Sequence, residues 1–539
     1  MMPIQLNVST MLERAELFYP RKQVISRTLN QVHRLTYKEI GERTRRLSSV
    51  LEKLGVEAGD RVGTFAWNHH RHLEAYFAVP GLGAVIHTIN IRLSPEHVVY
   101  IINHAQDKVL LIDEDLLPLF EKIKDHLHSV KAYIVMSDST EVPSSSLEPL
   151  YSYEALLAEG DPEFQFRKDI DEYSPAGICY TSSTSGIPKG VVYTHRALVL
   201  HSMAVGLADT LALGETDVAM PVVPMFHVNA WGMPYAATWF GSTQVLPGPR
   251  FTPEVLAELI SQEKVTVTAG VPTVWLGLYT VLEEGNYNTG SLRAIVCGGS
   301  AAPPSLISRY EDRLGIPCYH AYGMTETTPL VTVARLKSYQ QSLSKEQQVE
   351  LRAKQGILVP GLEMKVEGVN GDVKWDGQEM GELLLRGPWI AGEYYLDDST
   401  DHIFEDGWLH TGDIATVDPE GFIKLVDRTK DLIKSGGEWI SSVDLENAIL
   451  DHEAVFEVVV VAVPDVQWAE RPVACVVLKD EYKGKVTKED ILSFVAPKFP
   501  KWWLPDDVVF MDEIPKTAVG KFLKRRLREQ LKHHLTKPS

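Results

Sequence analysis

Thr181, Ser182, Ser183 and Thr184 place four hydroxyl side chains in succession, and Ser185, Gly186, Pro188, Lys189 and Gly190 complete the stretch. Apolar, β-prone Ile178-Cys-Tyr180 precedes it and Val191-Val-Tyr193 follows, so it reads as a polar loop between two strands. Closely spaced backbone N–H groups, hydroxyl donors and one ammonium suit a polyphosphate. A solvated serine-rich turn has the same composition, and the loop alone does not separate the two. A Walker loop is excluded, because Lys189 follows Gly186 by three residues and precedes Gly190. Val519-Gly-Lys521 runs on into Phe522 and lacks the upstream glycine.

Other residues with chemical capacity lie downstream. Gly298 and Gly299, in Gly298-Gly-Ser-Ala-Ala-Pro303, follow a predicted strand and permit a flat ligand to approach the backbone. A tight strand-to-helix turn is the alternative. His227 sits in Pro224-Met-Phe-His-Val-Asn-Ala-Trp231, where an ordinary core histidine is equally at home. The carboxylate of Asp413, in Thr411-Gly-Asp413, is able to accept both hydroxyls of a ribose. Lys430 to Ser441 is a glycine-bearing loop, and Lys521 closes Ile514-Pro-Lys-Thr-Ala-Val-Gly-Lys521 in a basic tail. Taken singly, each of these reads first as surface charge, core or an ordinary turn.

Together they form an ordered set. Six segments between Tyr180 and Lys521 resemble, in order and spacing, those of the adenylate-forming superfamily: acyl-CoA synthetases, aryl-CoA ligases, luciferases and peptide-synthetase adenylation domains. Pro221 to Trp231 and Lys430 to Glu446 look most like bacterial long-chain fatty acyl-CoA synthetases. The loop departs from the family's usual Tyr-Thr-Ser-Gly-Thr-Thr-Gly-x-Pro-Lys-Gly, with Ser183 for glycine and Ser185 for threonine. Serine at a position needing φ > 0 costs roughly 1–2 kcal/mol.

The resemblance implies the following roles. In the nucleotide site it implies phosphate contacts from Thr181, Ser182, Ser183, Ser185, Gly186 and Lys189, with Gly299, His320, Ala321 and Gly323 around the nucleoside. Tyr322 would stack on adenine, Thr325 would bond the α-phosphate, and Asp413 and Arg428 would hold the ribose or phosphate. Glu326 and Thr184 would hold Mg²⁺. His227, Val228 and Trp231 would border the acyl pocket. Lys430, Lys434 and Trp439 would lie near the nucleotide, Gly436 and Gly437 near the pantetheine path, and Lys521 would serve the first half-reaction. The cofactor implied is Mg²⁺, and the co-substrates are ATP and CoA.

The elements that must position these residues alternate. Thr36-Tyr-Lys-Glu39 is a capping box, and Ile40, Leu47, Leu51 and Leu54 give the helix its apolar face before Gly55. A strand at Arg61 to Trp67, a helix near Leu73 to Leu82 and a strand at Ala84 to Asn90 follow. Ser94-Pro95 starts another helix before the strand Val109 to Asp113. Thr252-Pro253 caps a helix, and strands at Val265 to Ala269 and Leu292 to Cys297 continue the alternation. This predicts an α/β fold with mainly parallel sheets. From Gly356 the texture turns β-rich, with a hairpin turning at Asn370-Gly371 and a strand at Glu382 to Arg386. The expected organisation is an N-terminal adenylation domain over 1–426, including a small β-barrel-like subdomain over 356–426. A hinge over 427–432, beginning at Asp427, leads to a small mobile α+β domain over 433–539.

At 539 residues the chain exceeds one ordinary core. A net charge of −19 argues against general nucleic-acid binding and adsorption to anionic membranes. The four cysteines have no metal-ligand spacing, which fits a reduced compartment. Without an N-terminal signal or an 18-residue apolar run, a cytoplasmic location is expected.

The implied reaction is activation of a medium- or long-chain fatty acid. The carboxylate attacks the α-phosphorus in line, pyrophosphate departs, and the CoA thiol then attacks the acyl carbon of the mixed anhydride. Between the steps the C-terminal domain would rotate about Asp427. The resemblance further implies a homodimer through the N-terminal region. The alternatives are an aryl-CoA or other carboxylate-CoA ligase, a luciferase-like oxygenase, and a non-catalytic binder of acyl-adenylate or CoA. A peptide-synthetase domain is less expected, since no carrier domain follows.

Overall fold

The computed structural model describes residues 2–181, 187–368, 371–397, 403–429, 431–435, 438–516, 522–532 and 534–535, with only the backbone of Glu438 and Trp439. Two large sheets dominate the N-terminal part. One has seven strands in the order Leu150–Ser152, Ala132–Met136, Asp107–Asp113, Arg61–Phe65, Val85–Thr88, Pro175–Tyr180 and Gly190–Thr194. All its neighbours are parallel except the last pair, the antiparallel strands that flank the hydroxyl-rich loop. The other has nine strands, and its six central ones, from Gln23–Arg27 to Cys318–Gly323, pair in parallel.

Helices fill and cover these sheets. Every residue of the helix His70–Gly81 is buried, because a helix between two sheets has no solvent face. It shares one core cluster with Val62, Val109 and Leu111 of the first sheet and Val24, Leu246 and Val267 of the second. Outer clusters lie under Pro95–Ala105 on one side and under Pro253–Glu263 and Pro272–Glu284 on the other. The layers therefore alternate helix, sheet, helix, sheet, helix. Local signals set several helix starts: Thr36 and Glu39 form a reciprocal capping box, and Ser94 and Thr252 accept from His97 N and Val255 N.

A six-stranded antiparallel sheet follows, built on Glu363–Gly368, Gly381–Arg386, Trp408–Val417 and Ile423–Arg428. Among the described residues it pairs as an open path rather than a closed ring. The hairpin lies one residue away from the expected register. Gly368 pairs with Gly371, so Gly371 is a strand residue and the connection is 369–370, outside the described residues. The return strand Gly371–Asp372 is short, and Asp376 then bonds the backbone of Gln378 and Glu379. Asp427 and Arg428, where the hinge is expected to begin, are the last residues of the strand Ile423–Arg428. They pair with Ile414 and Asp413.

The C-terminal part is a five-stranded sheet with Val455–Asp465 and Ala469–Leu478 at its centre. One face packs under Ser442–Leu450 and Lys488–Val495, the other against Ile514 and Leu527.

Candidate active site

A cavity of about 1350 Å³ opens where these parts meet. The strand Cys318–Gly323 delivers His320, Ala321, Tyr322 and Gly323 to its wall. His320 is buried, and its Nδ1 lies 2.9 Å from the Ala353 carbonyl. Gly323 has to be glycine, since a Cβ there would stand 2.0 Å from the Pro329 carbonyl oxygen. The Tyr322 hydroxyl donates to Asp413 Oδ2 at 2.5 Å, and Arg428 Nε meets Asp413 Oδ1 at 2.5 Å. Strand register makes this pair, because Asp413 and Arg428 are cross-strand partners. Asp413 is only 3 % exposed. Burial and the Asp413 charge push the Tyr322 hydroxyl up, and Asp413 holds the Arg428 guanidinium above its ordinary value. These three side chains form a polar corner suited to a hydroxylated ring.

Beyond it, Thr325 and Glu326 occupy a short 3-10 turn, fixed by the Tyr193 hydroxyl donating to the Thr325 carbonyl at 2.8 Å. Glu326 is 6 % exposed and accepts the Tyr394 hydroxyl at 2.5 Å. Burial, then the Glu326 charge, pushes the Tyr394 hydroxyl up, so it remains a donor. Lys189 Nζ lies 4.9 Å from the Tyr394 ring centroid and 3.7 Å from Asp397. Thr181 N–H donates to the Lys189 carbonyl at 2.9 Å, closing the base of the loop. Ser182, Ser183, Thr184, Ser185 and Gly186 lie outside the described residues. One carboxylate among hydroxyl and carbonyl oxygens fits a hard divalent cation such as magnesium. No group of three or more His, Cys, Asp or Glu among the described residues could cage it. Such an ion would therefore draw its remaining ligands from phosphate and water.

Valine, leucine and methionine side chains line another arm of the cavity: Val205, Leu211, Met233, Val296 and Leu330. His227, Val228 and Trp231 line the same cavity. Val228, Asn229, Ala230 and Trp231 have φ of 44°, 52°, 49° and 57°, a left-handed turn that ends in Gly232 at 72°. Each such non-glycine residue costs roughly 1–2 kcal/mol. The turn carries the indole across to the glycine pair. A Cβ on Gly298 would meet Trp231 Cη2 at 3.0 Å, and Gly299 adopts φ of 79°. The flat group against these glycines is therefore Trp231, set between the polar corner and the apolar arm.

From the C-terminal part, Val443, Glu446, Phe522 and Lys524 line the same cavity. Lys524 Nζ pairs with Glu446 at 2.8 Å and donates to the Ser442 hydroxyl. Asp427 Oδ2 accepts Ser442 N–H at 3.1 Å and its hydroxyl at 2.5 Å. Arg528 pairs with Asp431 at 2.7 Å and Lys424 with Asp444 at 2.8 Å. Burial works against the Lys524 ammonium, but Glu446 and Asp427 outweigh it and hold it above its ordinary value. Lys434 is placed elsewhere: it is exposed, and its N–H donates to Glu470 at 2.8 Å. Lys521, Lys430, Gly436, Gly437 and the Trp439 side chain lie outside the described residues.

A model of the AMP-binding enzyme family matches residues 12–395. The chain belongs to the AMP-binding enzymes. The model of the AMP-binding enzyme C-terminal domain matches residues 444–521. Over 539 residues the chain is 51 % identical to a long-chain-fatty-acid–CoA ligase of Thermus thermophilus, covering 99 % of this chain and 97 % of that one. It is 43 % identical, over 99 % of both chains, to a 3-methylmercaptopropionyl-CoA ligase of Ruegeria lacuscaerulensis. In fold it is similar to the crystal structure of the anthranilate CoA ligase AuaEII with anthranoyl-AMP. The TM-score there is 0.87 at 24 % identity, over 99 % of each chain.

In this AMP-binding enzyme several neighbours of the site carried no sequence signal. Tyr394 holds Glu326 from 68 residues away, and its Glu393-Tyr-Tyr395 context matches no motif. Lys524 was readable only as one more cation of the tail, although it lines the cavity. Glu446 looked like an ordinary helix carboxylate until the fold buried it against Lys524.

Proposed function

We propose that the protein is an AMP-forming fatty-acid–CoA ligase acting on medium- or long-chain acids. The observation that carries this is the single cavity joining the Tyr322–Asp413–Arg428 corner, through Thr325 and Glu326, to an apolar arm. Identity of 51 % over the whole length to a long-chain ligase supports the same substrate class. A fatty-acid carboxylate is a poor acyl donor. Its oxygen attacks the α-phosphorus of ATP, the bond to the bridging oxygen breaks, and pyrophosphate leaves. The CoA sulfur then attacks the acyl carbon, and AMP leaves with the electron pair.

In this reading Tyr322 stacks on adenine, Asp413 accepts from the ribose hydroxyls and Arg428 steadies both. Thr325 bonds the α-phosphate, and Lys189 with the loop 181–186 holds the other phosphates. Glu326 and Thr184 hold Mg²⁺, which when bound neutralises charge on the phosphate oxygens. His227, Val228 and Trp231 receive the acyl chain at the mouth of the apolar arm. Lys521 serves the first step. Phe522 and Lys524 line the cavity while Lys434 faces away, which supports a first-step arrangement. The second step then calls on Lys430, Lys434, Gly436, Gly437 and Trp439 after rotation about Asp427. Buried free cysteines support a cytoplasmic setting, and no helix among the described residues is long and apolar enough to cross a membrane. Exposed Leu17 and Phe18 on the first helix support self-association through the N-terminal region.

The test is ATP-dependent pyrophosphate release and CoA-thioester formation with octanoate, myristate and cinnamate. Release and thioester with the two fatty acids, and little with cinnamate, are expected. Preference for cinnamate would make this an aryl ligase. Tight acyl-AMP binding with no release from any acid would make it a binder.

A further inference from the structure

The cavity has a third arm. It runs from Tyr394 past Lys189 to the last turn of the helix Pro95–Ala105, where Tyr100 and His104 line it. No motif covers this helix. His104 Nδ1 and the Tyr180 hydroxyl are 2.7 Å apart. Tyr100 stacks on the imidazole with ring centroids 5.3 Å apart, and Tyr395 meets it edge-on at 5.6 Å. Tyr180 in turn packs on His87 at 5.0 Å, and His87 Nδ1 lies 2.7 Å from Asp107, both side chains fully buried. The imidazole is thus held from three sides on a sealed base.

Its protonation follows from its neighbours. Burial pushes the Tyr180 hydroxyl up, so it keeps its proton and is able to donate to Nδ1. The ring's own hydrogen is then on Nε2. Burial pulls the imidazole below its ordinary value, with Asp397 opposing and His87 adding to the effect. At neutral pH the group is therefore a neutral donor. The ammonium of this arm, Lys189, rests beside a carboxylate, Asp397, at 3.7 Å.

In-line displacement puts the leaving group opposite the attacking oxygen. With an acyl chain in the apolar arm and a nucleoside in the polar corner, the arm lined by Lys189, Tyr100 and His104 is left for it. We propose that this arm receives the pyrophosphate released in the first step, with the His104 imidazole and the Tyr100 hydroxyl as donors beyond those of the phosphate loop. The inference rests on the two-step reading above. As the carboxylate–phosphorus bond forms, the bond to the bridging oxygen breaks and its electron pair stays with pyrophosphate. The added charge arrives at these donors, and no proton has to move. Asp397 competes with the polyanion for Lys189, which favours release once the bond is broken.

The test uses the full-length enzyme with inorganic pyrophosphate, as product inhibitor against ATP and as partner in isotope exchange with ATP. His104→Ala should raise the inhibition constant for pyrophosphate about tenfold, the loss of one hydrogen bond to a charged group. Tyr100→Phe should raise it several-fold, and His104→Gln, which keeps an N–H donor, should recover part of the loss. The KM for fatty acid and thioester formation from supplied acyl-AMP should keep wild-type values. Tyr180→Phe keeps the imidazole and loses only its tether, so its effect should be the smaller. Unchanged inhibition in His104→Ala and Tyr100→Phe would overturn the assignment. An effect of Tyr180→Phe equal to that of His104→Ala would overturn it too, by making His104 a prop for the loop. Normal exchange with unchanged inhibition sinks this inference alone, whereas wild-type enzyme that exchanges with no acid sinks the two-step reading with it.

Discussion

The two walls of the cavity are built by different means. On the N-terminal side, Asp413 and Arg428 face each other because their strands are in register, and Tyr322 ends a third strand. On the C-terminal side, Lys524 and Glu446 lie on separate helices and reach the cavity through side-chain bonds to Ser442 and Asp427. Backbone ladders fix the first wall, and moving it would unmake a sheet. Side-chain bonds join the second, and they can be exchanged one by one. A site that keeps one nucleotide through two chemical steps needs the first kind of wall. A domain that changes what it presents needs the second.

The largest expected consequence is at the ladder-built wall. Asp413→Asn removes the charge that faces Arg428 and accepts from Tyr322. Bonds to charged groups contribute about 1.5–3 kcal/mol, so ATP affinity should fall roughly tenfold to a hundredfold. Because this wall is common to both steps, acyl-AMP supplied for the second step should bind more weakly by a similar factor. Separate assays of the two half-reactions check this. A loss confined to the first step would erase the distinction between the walls.

The same distinction governs what could be read from residue order. The capping boxes at Thr36 and Thr487 are bonds between residues three apart, and both helices start there. Strand and helix alternation was legible because buried parallel strands are short apolar runs. The site's motifs were legible because each is a short contiguous run of residue types in a fixed order along the chain. What escaped was made by long-range packing. The strand Trp408–Val417, which carries the Thr-Gly-Asp segment, is paired by residues far from it in the chain. The expected hinge begins at Asp427, and its tie to Ser442, fifteen residues on, had no signal in the sequence. The hairpin at Gly371 shows the finer limit: turn residues announce a reversal, but cross-strand pairing decides its register.

Acid should also separate the two parts. In the N-terminal part burial pushes His72 and His201 down to about 3 and His195 down to about 4, from an ordinary value of 6.5. Their folded forms stay neutral while the unfolded chain takes up protons below 6.5. Stability is therefore full above that value and falls as the pH drops toward 4, by about 1.4 kcal/mol per unit for each fully shifted histidine. Among the described residues of the C-terminal part no histidine is buried. Hydrogen exchange at pH 7 and pH 5 should show protection lost first across the N-terminal core. Earlier loss in the strands Val455–Asp465 and Ala469–Leu478 would contradict it.

The smallest expected effect is the most specific to the side-chain-built wall. The Ser442 hydroxyl donates to Asp427 and accepts from Lys524, so one oxygen links the strand Ile423–Arg428 to the helix Lys524–Leu531. Ser442→Ala removes that link and keeps the backbone bond from Ser442 N–H to Asp427. A net hydrogen-bond contribution of about 1 kcal/mol corresponds to roughly a fivefold change in how the C-terminal part divides between arrangements. Acyl-AMP formation should then slow by about that factor, while thioester formation from supplied acyl-AMP holds or quickens. The two rates moving in opposite directions is the informative outcome, because a merely destabilised protein would lose both. Equal loss in both half-reactions would mean that Ser442 supports the fold of the C-terminal part rather than its orientation, and that this wall is as fixed as the other.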